Sequence, residues 1–173
     1  MKTKQILSLM EVLSWIIFTG LCIKTGALLI TSLISLFMNP EAAQNLYLGL
    51  DLSELYTSNI WYYINTLSFI IALSGLKTYL FYLVIKIFYK INMKQPFSSL
   101  MISLIEKISH IALGIGIIAI VAENYSKWLI HRGMVVFENW EGQGFLFLAG
   151  IIFIIGLVFK RGIEIQSENE LTI

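Results

Sequence analysis

Four ionisable side chains stand inside long apolar runs of this sequence: Lys24, Lys77, Glu106 and His110. An ionised group at the centre of a bilayer costs at least about 2.5–3.5 kcal/mol on insertion scales, so residues of this kind face protein or water. Glu106 and His110 are four positions apart and therefore share a helix face. In antiparallel helices the rise per residue puts Lys77, Glu106 and His110 within roughly one or two turns of the same depth. Glu106 is the expected counter-ion of Lys77, with His110 as a neutral hydrogen-bonding neighbour. Two uses of such a cluster stay open. A Lys–Glu pair can fix helix register while Lys24 snorkels or finds a backbone carbonyl. Alternatively, Lys24, Lys77, Glu106 and His110 line a polar cavity for an ion, a proton or an anionic ligand.

Other chemistry finds little in the sequence. His110 and His131 fall at different heights, and the single Cys22 has no partner at metal-ligand spacing, so neither a metal site nor an intrachain disulfide is expected. No G-x-S-x-G, H-E-x-x-H or P-loop occurs. Gly114 and Gly116, and Gly142 and Gly144, lack the Lys-Ser/Thr that completes a phosphate loop. Glu123, Asn124, His131 and Arg132 make either a polar external site or, more simply, a solvated loop. No catalytic residue and no cofactor are expected, and the chain reads as a non-enzyme.

The elements that would position the four ionisable residues are membrane helices. The 173 residues are 57% hydrophobic and 13% charged, against roughly 45–50% and about 25% in soluble domains. Intrinsic disorder is excluded and a soluble enzyme disfavoured. The formal charge of +1 gives no pull toward nucleic acid. Four stretches reach the roughly 20 apolar residues of a spanning helix: about 12–38, 60–88, 100–122 and 144–159. The first is too long for a signal-peptide core and is followed by no A-x-A-like cleavage site, so it is expected to be retained. It stops at Asn39-Pro40. Residues 1–173 form a single membrane domain with a cytoplasmic acidic tail at 160–173.

Lysine and arginine placement sets orientation. Lys2, Lys4, Lys86, Lys90, Lys94, Lys107, Lys160 and Arg161 fall near the termini and the central loop, whereas 39–59 contains Glu41, Asp51 and Glu54 but no lysine or arginine. Both termini are therefore expected in the cytoplasm. Trp61, Tyr62, Tyr63, Phe88, Tyr89, Trp128 and Trp140 occupy the expected interfaces. Small residues recur at helical spacing and mark close packing: Gly20, Lys24, Ala27 and Thr31; Ser68, Ala72 and Gly75; Ser109, Ala112, Gly116 and Ala119; Gly142, Ala149 and Gly156. The fold class is all-α, an integral membrane four-helix antiparallel bundle. A short amphipathic helix is expected at 51–56.

The central loop reads Lys94-Gln95-Pro96-Phe97-Ser98, and the C-terminal segment runs Arg161-Gly162-Ile163-Glu164-Ile165-Gln166-Ser167-Glu168-Asn169-Glu170-Leu171-Thr172-Ile173. With four spans, these residues resemble the bacterial membrane family called domain of unknown function 2975, whose members carry a "G-x-P-F-[ST]" loop and a tail like "R-G-x-x-L-Q-x-E-N-D-L-T-[IV]". Glu170 replaces the family's aspartate, and Met101 and Glu106 stand where an asparagine and basic residues are usual. The resemblance implies a multi-pass protein of the bacterial cytoplasmic (inner) membrane with no established activity. It also implies a membrane partner or sensor for a very small cytoplasmic helix-turn-helix regulator. The interaction residues would then be Pro96, Phe97, Arg161, Gly162, Gln166, Glu168, Asn169, Glu170 and Leu171. Ile163, Ile165 and Leu171 among Glu164, Glu168 and Glu170 suit docking of a basic protein, or equally of the chain's own Lys90 and Lys94. The alternative is a small transporter or immunity-type protein that binds an ion or amphiphile in a polar bundle cavity. The bilayer is the one partner composition requires; direct nucleic-acid binding is not expected, and homo-oligomerisation stays open.

Overall fold

The structure, a computed structural model, describes residues 3–91, 98–136 and 139–170, and within them the side chains from 5 to 165. Helix α1 is Thr3–Phe37, followed by a 3-10 turn at Pro40–Gln44; α2 is Ser53–Ser58, α3 Ile60–Lys90, α4 Ser99–Ile130 and α5 Gly142–Glu170. No strand occurs among the described residues. Helices α1, α3, α4 and α5 are long and apolar enough to cross a membrane. They contain 35, 31, 32 and 29 residues, whereas a crossing needs about 20. Each therefore overshoots an apolar layer by several turns.

Local chemistry sets the boundaries. After α1, Met38 and Asn39 donate their amides to Ile34 O at 2.9 and 2.8 Å. Pro40 then has no amide to continue the ladder, and Asn39 Oδ1 accepts from Glu41 N at 3.0 Å to start the 3-10 turn. Asn59 caps α3 by accepting from Trp61 N, and Ser98 caps α4 by accepting from Met101 N. Gly133, at φ +83°, ends α4 in a Schellman arrangement: its amide donates to Ile130 O and that of Met134 to Leu129 O. Helix α4 continues past the expected end at 122 because its last turns are amphipathic. Ser126 and Leu129 are buried there, while Lys127 pairs with Glu123 on the exposed side. Helix α5 likewise runs beyond Phe159, with Arg161 paired to Glu164.

The long helices pack in chain order, α1 on α3, α3 on α4 and α4 on α5, and α1 has no backbone neighbour within 8 Å on α4 or α5. The result is an antiparallel bundle laid out as an open row, with a cleft against α1 and α3. Its tightest seam joins α4 to α5. Ser109, Ala112, Gly116 and Ala119 are buried there, as are Gly142, Ala149 and Gly156. A Cβ on Gly116 would lie 2.6 Å from Leu146 Cδ2, and one on Gly142 would lie 3.0 Å from Ile120 Cγ1. A methyl at either position would force Leu146 or Ile120 to shift. Ser109 Oγ also donates to Ala149 O at 3.1 Å.

The other two small-residue faces are not seams of this kind. Gly20, Lys24, Ser68 and Ala72 are exposed, and Ala27, Thr31 and Gly75 only partly covered. Helix α3 turns Ser68 and Ala72 outward and presents Leu73, Ser74 and Leu80 inward. Hydroxyls hold α1 to α3 instead: Thr25 Oγ1 shares hydrogen bonds with Ser74 Oγ at 2.7 Å and Thr78 Oγ1 at 3.1 Å. One apolar core lies between α3, α4 and α5, around Leu80, Leu104, Ile115 and Ala149. A second caps the row at the end bearing the 3-10 turn and α2. There Leu46, Leu52 and Leu55 close over Leu28 and Tyr63, so the short helix buries its Leu55 against the bundle. The opposite end carries Lys86, Lys90, Lys107 and Lys160, all exposed.

Candidate functional site

Lys24 stands mid-way along α1 and Lys77 mid-way along α3, and both line one cavity of about 600 Å³. The 139–141 segment forms its third side. Helix α5 starts about three turns short of the level where α4 ends, because Gly142 packs on Ala119 and Ile120. The chain from α4 to α5 therefore descends along the bundle before α5 begins. Trp140 pins it: the indole is buried, donates Nε1–H to Ser126 Oγ at 2.9 Å and meets Phe69 edge-on. The next residue, Glu141, adopts φ +57°, a left-handed conformation that costs a non-glycine residue on the order of 1–2 kcal/mol. That turn delivers the Glu141 carboxylate to Lys77, with Nζ–Oε2 at 2.8 Å.

Lys77 also lies over the Phe145 ring, 4.9 Å from its centroid, which adds a cation–π attraction. Lys24 lines the same cavity as Glu141, and its ammonium has no hydrogen bond or ion pair among the described residues. Leu21, Leu28, Ile70 and Leu73 make the apolar walls, and Tyr47, Leu48, Leu50 and Asp51 the rim. Asp51 Oδ1 accepts from Ser53 Oγ at 2.7 Å and Ser53 N at 2.8 Å. These two donors hold its carboxyl below the usual carboxylate range, the hydroxyl contributing more. The site can thus hold a charge: two ammonium groups and one carboxylate in an apolar cleft, with a second carboxylate at the rim. Among the described residues, no three or more of His, Cys, Asp and Glu are grouped so that they could hold a metal ion.

The structure brings together two of the four expected residues and separates the others. Lys77 pairs with Glu141, not with Glu106. Glu106 and His110 are exposed on the outward face of α4, because Ile105, Ile108, Ser109 and Ala112 take the inward positions. There His110 Nδ1 lies 2.6 Å from Glu106 O, a contact within one turn. Sequence reasoning missed Glu141, Trp140, Asn139 and Asp51. A Trp-Glu pair immediately before Gly142 was the available signal, but only the packing of Gly142 on Ala119 shows how far the segment descends.

The other candidate groups lie elsewhere. Arg132 donates to Tyr62 OH at 2.9 Å and stacks 4.0 Å over Trp128; Lys127 holds Glu123. This end of α4 is a solvated, cross-braced surface. Of the expected interaction motif, Arg161 Nη1 donates to Glu164 Oε2 at 2.7 Å and Gly162 is partly covered. Gln166, Glu168, Asn169 and Glu170 fall on the helical backbone of α5, with side chains outside the described set; Pro96, Phe97 and Leu171 lie outside the described residues.

Comparison with curated proteins gives no match, and neither does comparison with solved structures. A family model described as "Protein of unknown function (DUF2975)" matches residues 35–173, which takes in the end of α1, the cap and α2 through α5. Lys77, Glu141, Trp140 and Asp51 fall inside the matched range and Lys24 outside it. The chain belongs to the DUF2975 family, a protein family of unknown function.

Proposed function

We propose that this chain is a non-enzymatic, multi-pass membrane protein that binds an ion or an amphiphile in the cleft lined by α1, α3 and the 139–141 segment. The observation that carries the reading is Lys24 and Lys77 lining one cavity half-way along helices apolar enough to span a membrane. Placing two ammonium groups at that height in lipid is unfavourable unless something balances them, and among the described residues one carboxylate, Glu141, meets only one of the two. Exposed apolar side chains support the membrane setting: Ile16 is 63% exposed, Val158 62% and Ile154 61%. The end bearing Lys86, Lys90, Lys107 and Lys160 then faces the cytoplasm together with both termini, by the excess of basic residues there. By family resemblance the membrane is the bacterial cytoplasmic one.

The test is the bound molecule itself. Protein purified in detergent is expected to carry a small molecule or lipid in near one-to-one amount, detected by native mass spectrometry. Leu21→Trp, which fills the cleft, is expected to lose it. Equal retention by both, or none by either, would sink the reading.

A second reading is a membrane partner for a small cytoplasmic regulator. It is favoured by α5 continuing as one helix through Glu170, which projects a charged segment past Lys160. Pull-downs with the full chain and with a version ended after Lys160 would then differ in the DNA-binding protein recovered; identical recoveries would remove it.

A further inference from the structure

The cleft's own chemistry narrows what it takes, given that it binds at all as proposed above. Its floor holds two ammonium groups against one carboxylate, and Lys24 has no hydrogen bond or ion pair among the described residues. Its walls are apolar, at Leu21, Leu28, Ile70 and Leu73. Of the long helices only α3 has backbone within 8 Å of α1 among the described residues, so no further helix covers that side of the cleft. Its rim carries Asp51, held ionised by two donors from Ser53, which repels a soluble anion arriving through the loops. A volume of about 600 Å³ lies within the roughly 300–1,000 Å³ of single small-molecule sites and is too small for a whole diacyl lipid. We propose that the cleft takes a single-chain amphiphile with an anionic head, a carboxylate or phosphate monoester, its head between Lys24 and Lys77 and its chain along the leucine walls, entering from the side between α1 and the 139–141 segment. Glu141 is then the resident competitor for Lys77, and its removal strengthens binding.

Trp140 lines the cavity and reports on it. The full chain carrying Trp15→Phe, Trp61→Phe and Trp128→Phe, in nanodiscs, would be titrated with bromine-labelled palmitate, whose bromines quench indole at close range. Saturable quenching is expected, reversed by palmitate and at least about ten-fold less effectively by hexadecanol, which lacks the charge. Lys24→Gln breaks no contact seen in the structure and should weaken binding by about ten-fold, while Glu141→Gln should tighten it. Lys77→Arg, which keeps the charge should Lys77→Gln fail to fold, should retain binding. Equal competition by hexadecanol and palmitate overturns the anionic head but leaves cleft binding standing. Inorganic phosphate competing as well as palmitate overturns the amphiphile and leaves a free anion. Loss of binding in Glu141→Gln overturns the anion, because the carboxylate would then be the ligand's own partner. Absence of saturable quenching removes both this proposal and the binding reading beneath it.

Discussion

Tyr63 is fully buried, and its hydroxyl shares a hydrogen bond with Ser35 Oγ across α1 and α3. Tyr63→Phe leaves the ring in place and removes that bond. It is expected to destabilise the detergent-solubilised protein by about 1 kcal/mol, the net value of one such bond, read as a lower thermal midpoint. Thr66 makes the contrast: its Oγ1 is buried without a hydrogen-bond partner among the described residues, so Thr66→Val, the same shape without the hydroxyl, is expected to be neutral or to raise the midpoint. Equal losses from both would mean that shape, not hydrogen bonding, sets stability here. Asp51 gives a pH-dependent case. Its folded carboxyl titrates below the usual range because Ser53 donates to the ionised form. The contribution is therefore complete above the ordinary carboxylate pKa and disappears as pH falls through the lower folded value. The difference in midpoint between the natural chain and Asp51→Ala should shrink to nothing on acidification; a difference that grows would contradict it. At this scale the sequence was a partial guide. It marked Lys24 and Lys77 from their cost in an apolar run, but not Glu141, because a loop carboxylate looks solvated until the path of its loop is known.

Helices show the same division between what spacing tells and what it leaves open. Gly142, Ala149 and Gly156 recur every seven residues, and Ser109, Ala112, Gly116 and Ala119 at three- and four-residue steps; both rows meet in the α4–α5 seam. The equally regular Ser68, Ala72 and Gly75 row faces mainly outward. Small residues allow close approach without requiring a neighbour to use it, and the inward side of α3 is chosen by Leu73, Leu80 and the Thr25–Ser74 hydrogen bond. Gly116 and Gly114 separate seam from propensity. A methyl at Gly116 meets Leu146 at 2.6 Å, while one at Gly114 meets nothing within 4 Å. Gly116→Ala should therefore cost about 1–3 kcal/mol through overpacking. Gly114→Ala, with the same gain in helix propensity, should be neutral or stabilising. Matching midpoints for the two variants would show that α5 does not sit on α4 as described.

The whole molecule turns on whether lipid surrounds the row, and Cys22 is a natural reporter of that. It is the chain's single cysteine, free and exposed on α1, two residues from Lys24 and outside the cavity lining. A thiol reacts through its thiolate, which needs water. In sealed vesicles a membrane-impermeant maleimide is expected to leave Cys22 unmodified, and detergent is expected to expose it. A spin label there should be relaxed by oxygen more than by a water-soluble nickel complex. In a Cys22→Ser background, Gln44→Cys lies at the cap and Lys160→Cys at the basic end, the two opposite ends of the row. Lys86, Lys90 and Lys107 stand at the same end as Lys160, the end that the proposed orientation puts in the cytoplasm. Impermeant reagent added outside whole cells should therefore modify Gln44→Cys alone, and inverted vesicles should reverse the pattern. Labelling of Cys22 as fast as Gln44→Cys would put α1 in water, and the unbalanced charge of Lys24 would then need no ligand at all. An ammonium unpaired among the described residues argues for a bound anion only if α1 is in lipid, so the Cys22 measurement comes before any search for the ligand.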